Sequence, residues 1–102
     1  MAKKKSLKPV TPGDLLWNEF LIPFGISRYR LAKDIGVPAQ RIGDIVMGKR
    51  SITADTDLRL SRYFGLSEGF WLRAQAACDL EIARTEIQGE IEKIVPFHGK
   101  AS

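Results

Sequence analysis

The sequence predicts an all-α domain built around a helix-turn-helix, and three observations point there. Apolar residues recur at three- and four-residue intervals in successive runs. Cap and stop residues (Thr, Ser, Pro and Gly) fall between those runs, where helices must begin and end. The segment from Ser27 to Arg50 sets two of the runs on either side of a tight turn at Gly36-Val37-Pro38.

Each element has its own signals. Thr11 caps a first helix, with Pro12 in the first turn and Asp14 in capping-box position. Leu15, Leu16, Glu19, Phe20 and Ile22 follow until Pro23-Phe24-Gly25 breaks the run. Ser27 caps the second helix, because its hydroxyl can accept a bond from an orphan backbone N–H. Gly36 suits the left-handed position that ends it. Pro38 stands at the first position of the third helix, where no N–H is required. That helix covers about residues 38–47, and Gly48 stops it. Thr53 caps a fourth helix that runs to Phe64 and stops at Gly65. Ser67-Glu68-Gly69 caps the fifth, from about Glu68 to Glu86, with Phe70, Trp71, Ala74, Ala77 and Leu80 at helical spacing.

From Ile87 to Phe97 two patterns coexist. Ile87, Ile91, Ile94 and Val95 continue a helix that Gly89 weakens by about 1 kcal/mol. Ile91, Lys93, Val95 and Phe97 alternate like one face of a strand. The organisation expected is a disordered Lys-rich tail at 1–10, a helix-turn-helix domain at 11–86 and a C-terminal extension at 87–102, frayed beyond His98.

Within the helix-turn-helix, Leu31, Ala32, Ile35, Val37, Ile42 and Ile45 supply the inward face, and Arg28, Gln40, Arg41, Lys49 and Arg50 face outward. A second helix of this kind fits the DNA major groove while basic flanks grip phosphate, so the expected partner is double-stranded DNA. The alternative for each cation is a solvated surface charge.

At 102 residues the chain can form one domain with a single core, and 44% of its residues are hydrophobic. No apolar run approaches the roughly 20 residues of a membrane span. No secretory apolar region follows the first lysines, so a cytoplasmic protein is expected. The single Cys78 excludes an internal disulfide and reads as a small buried hydrophobe. With His98, the one histidine, it makes no zinc set. Asp55, Asp57, Glu19 and Glu68 read as cap and surface carboxylates, no phosphate-binding Gly loop occurs, and Trp17 and Trp71 suit core or dimer packing. No cofactor, metal or enzymatic activity is expected.

The net charge of +4 equals the contribution of Lys3, Lys4, Lys5 and Lys8, so the remainder is balanced but segregated. Residues 26–50 are predominantly basic, whereas Asp79, Glu81, Glu86, Glu90 and Glu92 face only Arg84 in the stretch 79–92. A basic middle for phosphate is thus kept apart from an acidic C-terminal region.

Five short helices with a helix-turn-helix at the second and third resemble small phage-repressor-like DNA-binding domains. More narrowly, Pro12-Gly-Asp-Leu-Leu, Leu21-Ile-Pro-Phe-Gly-Ile-Ser, Leu31-Ala-Lys-Asp-Ile-Gly-Val, Ile52-Thr-Ala-Asp-Thr-Asp-Leu-Arg-Leu and Phe64-Gly-Leu-Ser-Glu-Gly-Phe-Trp-Leu resemble HigA-type antitoxins. These are Xre-group helix-turn-helix proteins, also known as virulence-associated protein I. The resemblance runs from about Pro12 to Ala83. It implies a bacterial antitoxin that binds a HigB-type toxin, a ribosome-dependent messenger-RNA endonuclease, and represses its own operon. The sequence departs from the family at Gly43, where a small polar residue such as Ser is usual.

A recognition helix reads bases from its first two turns, here Pro38, Ala39, Gln40, Arg41, Gly43 and Asp44. The Gln40 amide can pair bidentately with adenine, and in Xre-type domains its position carries the most typical base contact. Arg41 can pair with guanine or bind phosphate, and Ala39 offers a methyl to thymine. Asp44 can accept from cytosine or pair with Arg41 or Lys49. Ser27, Arg28 and Tyr29 meet the DNA backbone at the start of the second helix, and Lys49, Arg50 and Thr53 meet it on the far side.

One helix reads few base pairs, so a homodimer on a palindromic operator is expected, with half-sites about 10 base pairs apart or multiples of that. Phe70, Trp71, Leu80, Ile82, Ile87 and Ile91 form its expected surface. Toxin contact falls to the first helix, around Trp17 and Phe20, or to the acidic region from Asp79 to Glu92. The rival readings are an orphan phage-like regulator without a toxin, and a protein-interaction module with a vestigial helix-turn-helix.

Overall fold

The computed structural model describes residues 9–98, so Lys3, Lys4, Lys5 and Lys8 of the expected tail lie outside the described residues, as do residues beyond His98. Among the described residues the fold is all-helical, with five helices and no strand. α1 is composite: an α-helical Pro12–Leu16, a π-helical turn Trp17–Leu21 and a last turn Ile22–Phe24. α2 is Arg28–Ile35, α3 Ala39–Val46, α4 Ala54–Phe64 and α5 Phe70–Glu92.

The capping box at the start of α1 forms in full. The Asp14 N–H donates to Thr11 Oγ1 at 3.0 Å, and the Thr11 N–H donates to Asp14 Oδ2 at 3.3 Å. Pro23, however, does not break the helix. Just before it the Ile22 N–H reaches back to the Trp17 carbonyl, and this wider turn accommodates a residue with no N–H to give. The helix ends two residues later at Gly25, whose φ of 65° is left-handed. The π turn also resets the helix face: Leu16 and Leu21, five apart, are both buried.

Ser27 caps α2 by accepting from the Arg30 N–H at 3.0 Å, and Gly36 ends it at φ 75°. Pro38 is the N-cap of α3 rather than its first helical residue, and offers no side-chain acceptor there. Thr53 caps α4 through the Thr56 N–H. All six residues expected on the inward face are buried, and they join Leu16, Leu21, Ile52, Leu60 and Trp71 in one core. Phe20 packs against this core with its ring 4.8 Å from Phe64 and 5.1 Å from Trp71.

The start of α5 departs from expectation. Ser67 does not cap it; its hydroxyl accepts from Arg73 Nη2 instead. The cap comes from Asp57 on α4, a buried side chain and not the surface carboxylate expected. Asp57 Oδ2 accepts from the Gly69 N–H at 2.7 Å, and Oδ1 accepts from the N–H groups of Trp71 at 2.7 Å and Leu72 at 3.0 Å. A carboxylate can be buried here because three donors and the positive helix end replace its water.

On α5, Trp71 and Cys78 are buried, whereas Ala77 and Leu80, expected on the same face, are exposed. Every residue from Asp79 to His98 is exposed. The helix bends at Ile87, which has φ −120° and ψ 20°, then continues to Glu92, and 94–98 follow without regular structure. The helical alternative thus holds as far as Glu92, and the strand alternative does not form.

α1 crosses α3 closely at Gly13. A Cβ at that position would collide with the carbonyl of Ile45 and touch the backbone of Val46, neither of which is a side chain that can swing away. Gly13→Ala should therefore destabilise the domain by about 1–3 kcal/mol, measured by chemical denaturation; an unchanged midpoint would show that the α1–α3 crossing is soft. Asp57→Ala leaves three N–H groups and a buried helix end without partners. It should cost about 3 kcal/mol or more, lowering the melting temperature by on the order of 15 °C, with Asp57→Asn intermediate because it keeps one acceptor.

Candidate nucleic-acid interface

The turn at 36–38 holds the start of α3 beside the start of α2. Between them lies a shallow hollow of about 260 Å³ lined by Arg28, Tyr29, Ala39, Gln40 and Gly43. Gln40 is exposed, Ala39 is half-buried at the base of the helix, and Tyr29 is 73% exposed. A side chain on Gly43 would meet open space, so packing does not demand glycine there. The Arg28 guanidinium sits 5.9 Å from the centre of the Trp17 ring, an attraction that holds the cation at the edge of the hollow. Ser27 lies exposed at the same edge, its hydroxyl occupied as the α2 cap, and Pro38 is exposed at the start of α3.

Three residues placed by spacing behave differently. Arg41 turns away from the hollow toward α4, where its Nη1 donates to Asp55 Oδ2 at 2.7 Å; its side chain is 23% exposed. Asp44 is partly buried, and among the described residues its carboxylate forms no ion pair with Arg41 or Lys49. Thr53 is exposed, but its hydroxyl faces Thr56.

Lys49 and Arg50 are exposed at the far end of α3, beyond the left-handed Gly48. They border a second hollow of about 230 Å³, shared with Thr11, Gly13, Gln75 and Cys78. The cations thus stand at both ends of α3, with neutral Ala39 and Gln40 on its first turn.

Asp55, expected only as a cap or surface carboxylate, and Arg59 organise this surface. Asp55 accepts from both Arg41 and Arg59 Nε, and these bonds, Arg41's first, hold its carboxyl below the usual carboxylate range. Arg59 Nη1 in turn donates to the carbonyls of Ile35 at 2.7 Å and Gly36 at 3.3 Å, closing the C-terminus of α2. The i,i+4 spacing of Asp55 and Arg59 is a legible signal; the reach to Arg41 is not. One turn further along α4, the Tyr63 hydroxyl donates to Asp34 Oδ2 at 2.6 Å, lowering the Asp34 pKa and raising that of Tyr63. Burial pushes the Cys78 thiol up, as suits a packing residue. Among the described residues no cluster of His, Cys, Asp or Glu could hold a metal ion, and no helix is long and apolar enough to cross a membrane.

Residues 19–71 match the family described as helix-turn-helix. Virulence-associated protein I of Dichelobacter nodosus is 44% identical over 96 residues, which cover 94% of this chain and 88% of that protein. Antitoxin HigA-1 of Vibrio cholerae is 33% identical over 95 residues, covering 93% and 90%. Among solved structures, Pseudomonas aeruginosa antitoxin HigA with the higBA promoter is similar at a TM-score of 0.81 and 38% identity, covering 88% of this chain and 99% of that one. With the helix-turn-helix fold in common and identities of this size over nearly its whole length, the chain belongs to the helix-turn-helix family of HigA-type antitoxins.

Proposed function

We propose that this chain is a sequence-specific DNA-binding antitoxin that represses its own operon and neutralises a HigB-type messenger-RNA endonuclease, working as a cytoplasmic homodimer. The observation that carries the DNA half is the exposed first turn of α3, with Gln40 above the hollow and Arg28 and Tyr29 across it. The similarity to a HigA antitoxin solved with promoter DNA supports the same reading. Gln40 and Ala39 read bases, with Pro38 beside them at the start of the helix; Ser27, Arg28 and Tyr29 approach one phosphate strand, and Lys49, Arg50 and Thr53 the other.

The homodimer rests on exposed apolar side chains beyond the core. Leu80, Ile82, Ile87 and Ile91 are each at least 42% exposed on α5, and Ile94, Val95 and Phe97 extend that surface. Phe70 and Trp71 leave the expected dimer surface, because Trp71 is fully buried and Phe70 packs beside it.

Arg28, Lys49 and Arg50 from two protomers neutralise about six phosphates, which gives a log–log salt slope near −5 on a promoter fragment. Gln40→Ala should cost about 1–3 kcal/mol per half-site and relax preference at one base pair without changing the fold. Fluorescence titration of operator and scrambled duplexes reads both; a slope near zero, or full discrimination by the variant, would falsify this assignment of the interface.

Neutralisation uses other surfaces: the exposed side of α1 around Trp17, and the acidic half of α5. Phe20 contributes less than expected, since its ring packs into the core. A toxin that grips RNA is basic, so Glu81, Glu86 and Glu90 steer its approach. On co-expression, Gln40→Ala with Lys49→Ala should still protect cells, whereas reversing those three glutamates to lysine should slow complex formation at low salt. Unchanged association of the triple variant would leave α1 as the toxin site.

A further inference from the structure

Arg41 occupies a place on the recognition helix from which a guanidinium would ordinarily reach DNA, yet it lies folded against α4. Its Nη1 donates to Asp55 Oδ2, while its Nε is buried without a partner. A buried N–H with no acceptor is unfavourable, so this inward pose stands on the ion pair with Asp55. Asp55 is itself held in place: Arg59 Nε donates to the same oxygen at 3.1 Å, and Arg59 is anchored on the Ile35 and Gly36 carbonyls at the turn.

We propose that Asp55 is a specificity-determining residue that works by withholding Arg41 from DNA, an inference that rests on the DNA-binding reading above. A free guanidinium on this helix would bind phosphate of any sequence and raise affinity for all DNA alike. Tied to Asp55, it leaves the uncharged Gln40 and Ala39 to meet the bases, and sequence-independent attraction is confined to Arg28, Lys49 and Arg50 at the ends. Asp55 is therefore a positioning residue: it touches no DNA and acts through Arg41.

The test titrates the full-length wild-type protein, Asp55→Asn and Arg41→Gln against operator and scrambled duplexes over a range of salt, with circular dichroism confirming the fold. Asp55→Asn should bind scrambled DNA roughly tenfold more tightly at low salt, with a slope steeper by about one per protomer, and gain less on the operator. Arg41→Gln should leave the wild-type slope on scrambled DNA unchanged, a readout that loss of helix support alone does not move. A folded Asp55→Asn protein with unchanged or weaker scrambled binding would overturn the proposal. So would an Arg41→Gln slope shallower by about one per protomer, which decides the matter even if Asp55→Asn fails to fold. Wild-type protein that binds neither duplex would overturn the DNA-binding reading and this proposal together; wild-type binding with a failed variant arm overturns the proposal alone.

Discussion

The carboxylate of Asp57 carries a disproportionate share of this fold. It is 1% exposed and accepts three backbone N–H groups from the start of α5, so α4 and α5 are locked by charge-assisted bonds at one point. That lock sets Trp71 beneath α4 and against Phe20 of α1. It also brings Gln75, one turn further on, to the link that leaves α3, where its Oε1 accepts the Ile52 N–H at 3.1 Å. The eight-residue helices α2 and α3 are too short to be stable alone. Their geometry is imposed from outside, by α1 across Gly13, by Arg59 at the turn, and by α5 through Gln75. A recognition helix can hold its side chains in register with base edges only when its own placement is fixed in this way.

Local chemistry was legible in the sequence, and tertiary chemistry was not. Thr11, Ser27, Gly36, Thr53 and Gly65 act within four residues of themselves, and each performs the cap or stop its neighbours imply. The inward face of the helix-turn-helix follows from helical period, which needs no knowledge of the partner surface. Ser67 fails as a cap because a carboxylate ten residues earlier in the chain competes for the same N–H groups and accepts more strongly. Pro23 fails as a breaker because a π turn has already shifted the hydrogen-bond register ahead of it. Gly13 carried a weak signal: a glycine inside a helix lowers helix propensity, and here close backbone approach to α3 is its reason.

Candidate site residues divide along the same line. Arg28, Tyr29, Ala39 and Gln40 come together because the turn at 36–38 dictates which first-turn positions face one another. Arg41 shares their spacing, but a long flexible cation goes where the local field is most negative. That place is set by Asp55, fourteen residues away, whose carboxylate already belongs to the Arg59 pair. Helical spacing gives the direction of a Cβ and leaves the far end of a five-donor side chain open.

The exposed half of α5 completes the physical picture of a chain that needs company. A helix whose isoleucines meet water at every turn beyond Asp79 receives little tertiary support from its own domain. Within α5, Leu80, Ile87 and Ile91 follow at intervals of seven and four, the sequence spacing of a seam between paired helices, with the bend at Ile87 in its middle. The acidic side chains Glu81, Glu86, Glu90 and Glu92 lie outside that seam. In the proposed dimer the apolar seam would pair the protomers and deliver a second copy of α3, while the glutamates would remain in solvent. The negative potential of the assembly would then be carried by α5 and the positive potential by the ends of α3. One small chain can in this way present one charge to phosphate and the other to a basic protein without either surface weakening the other.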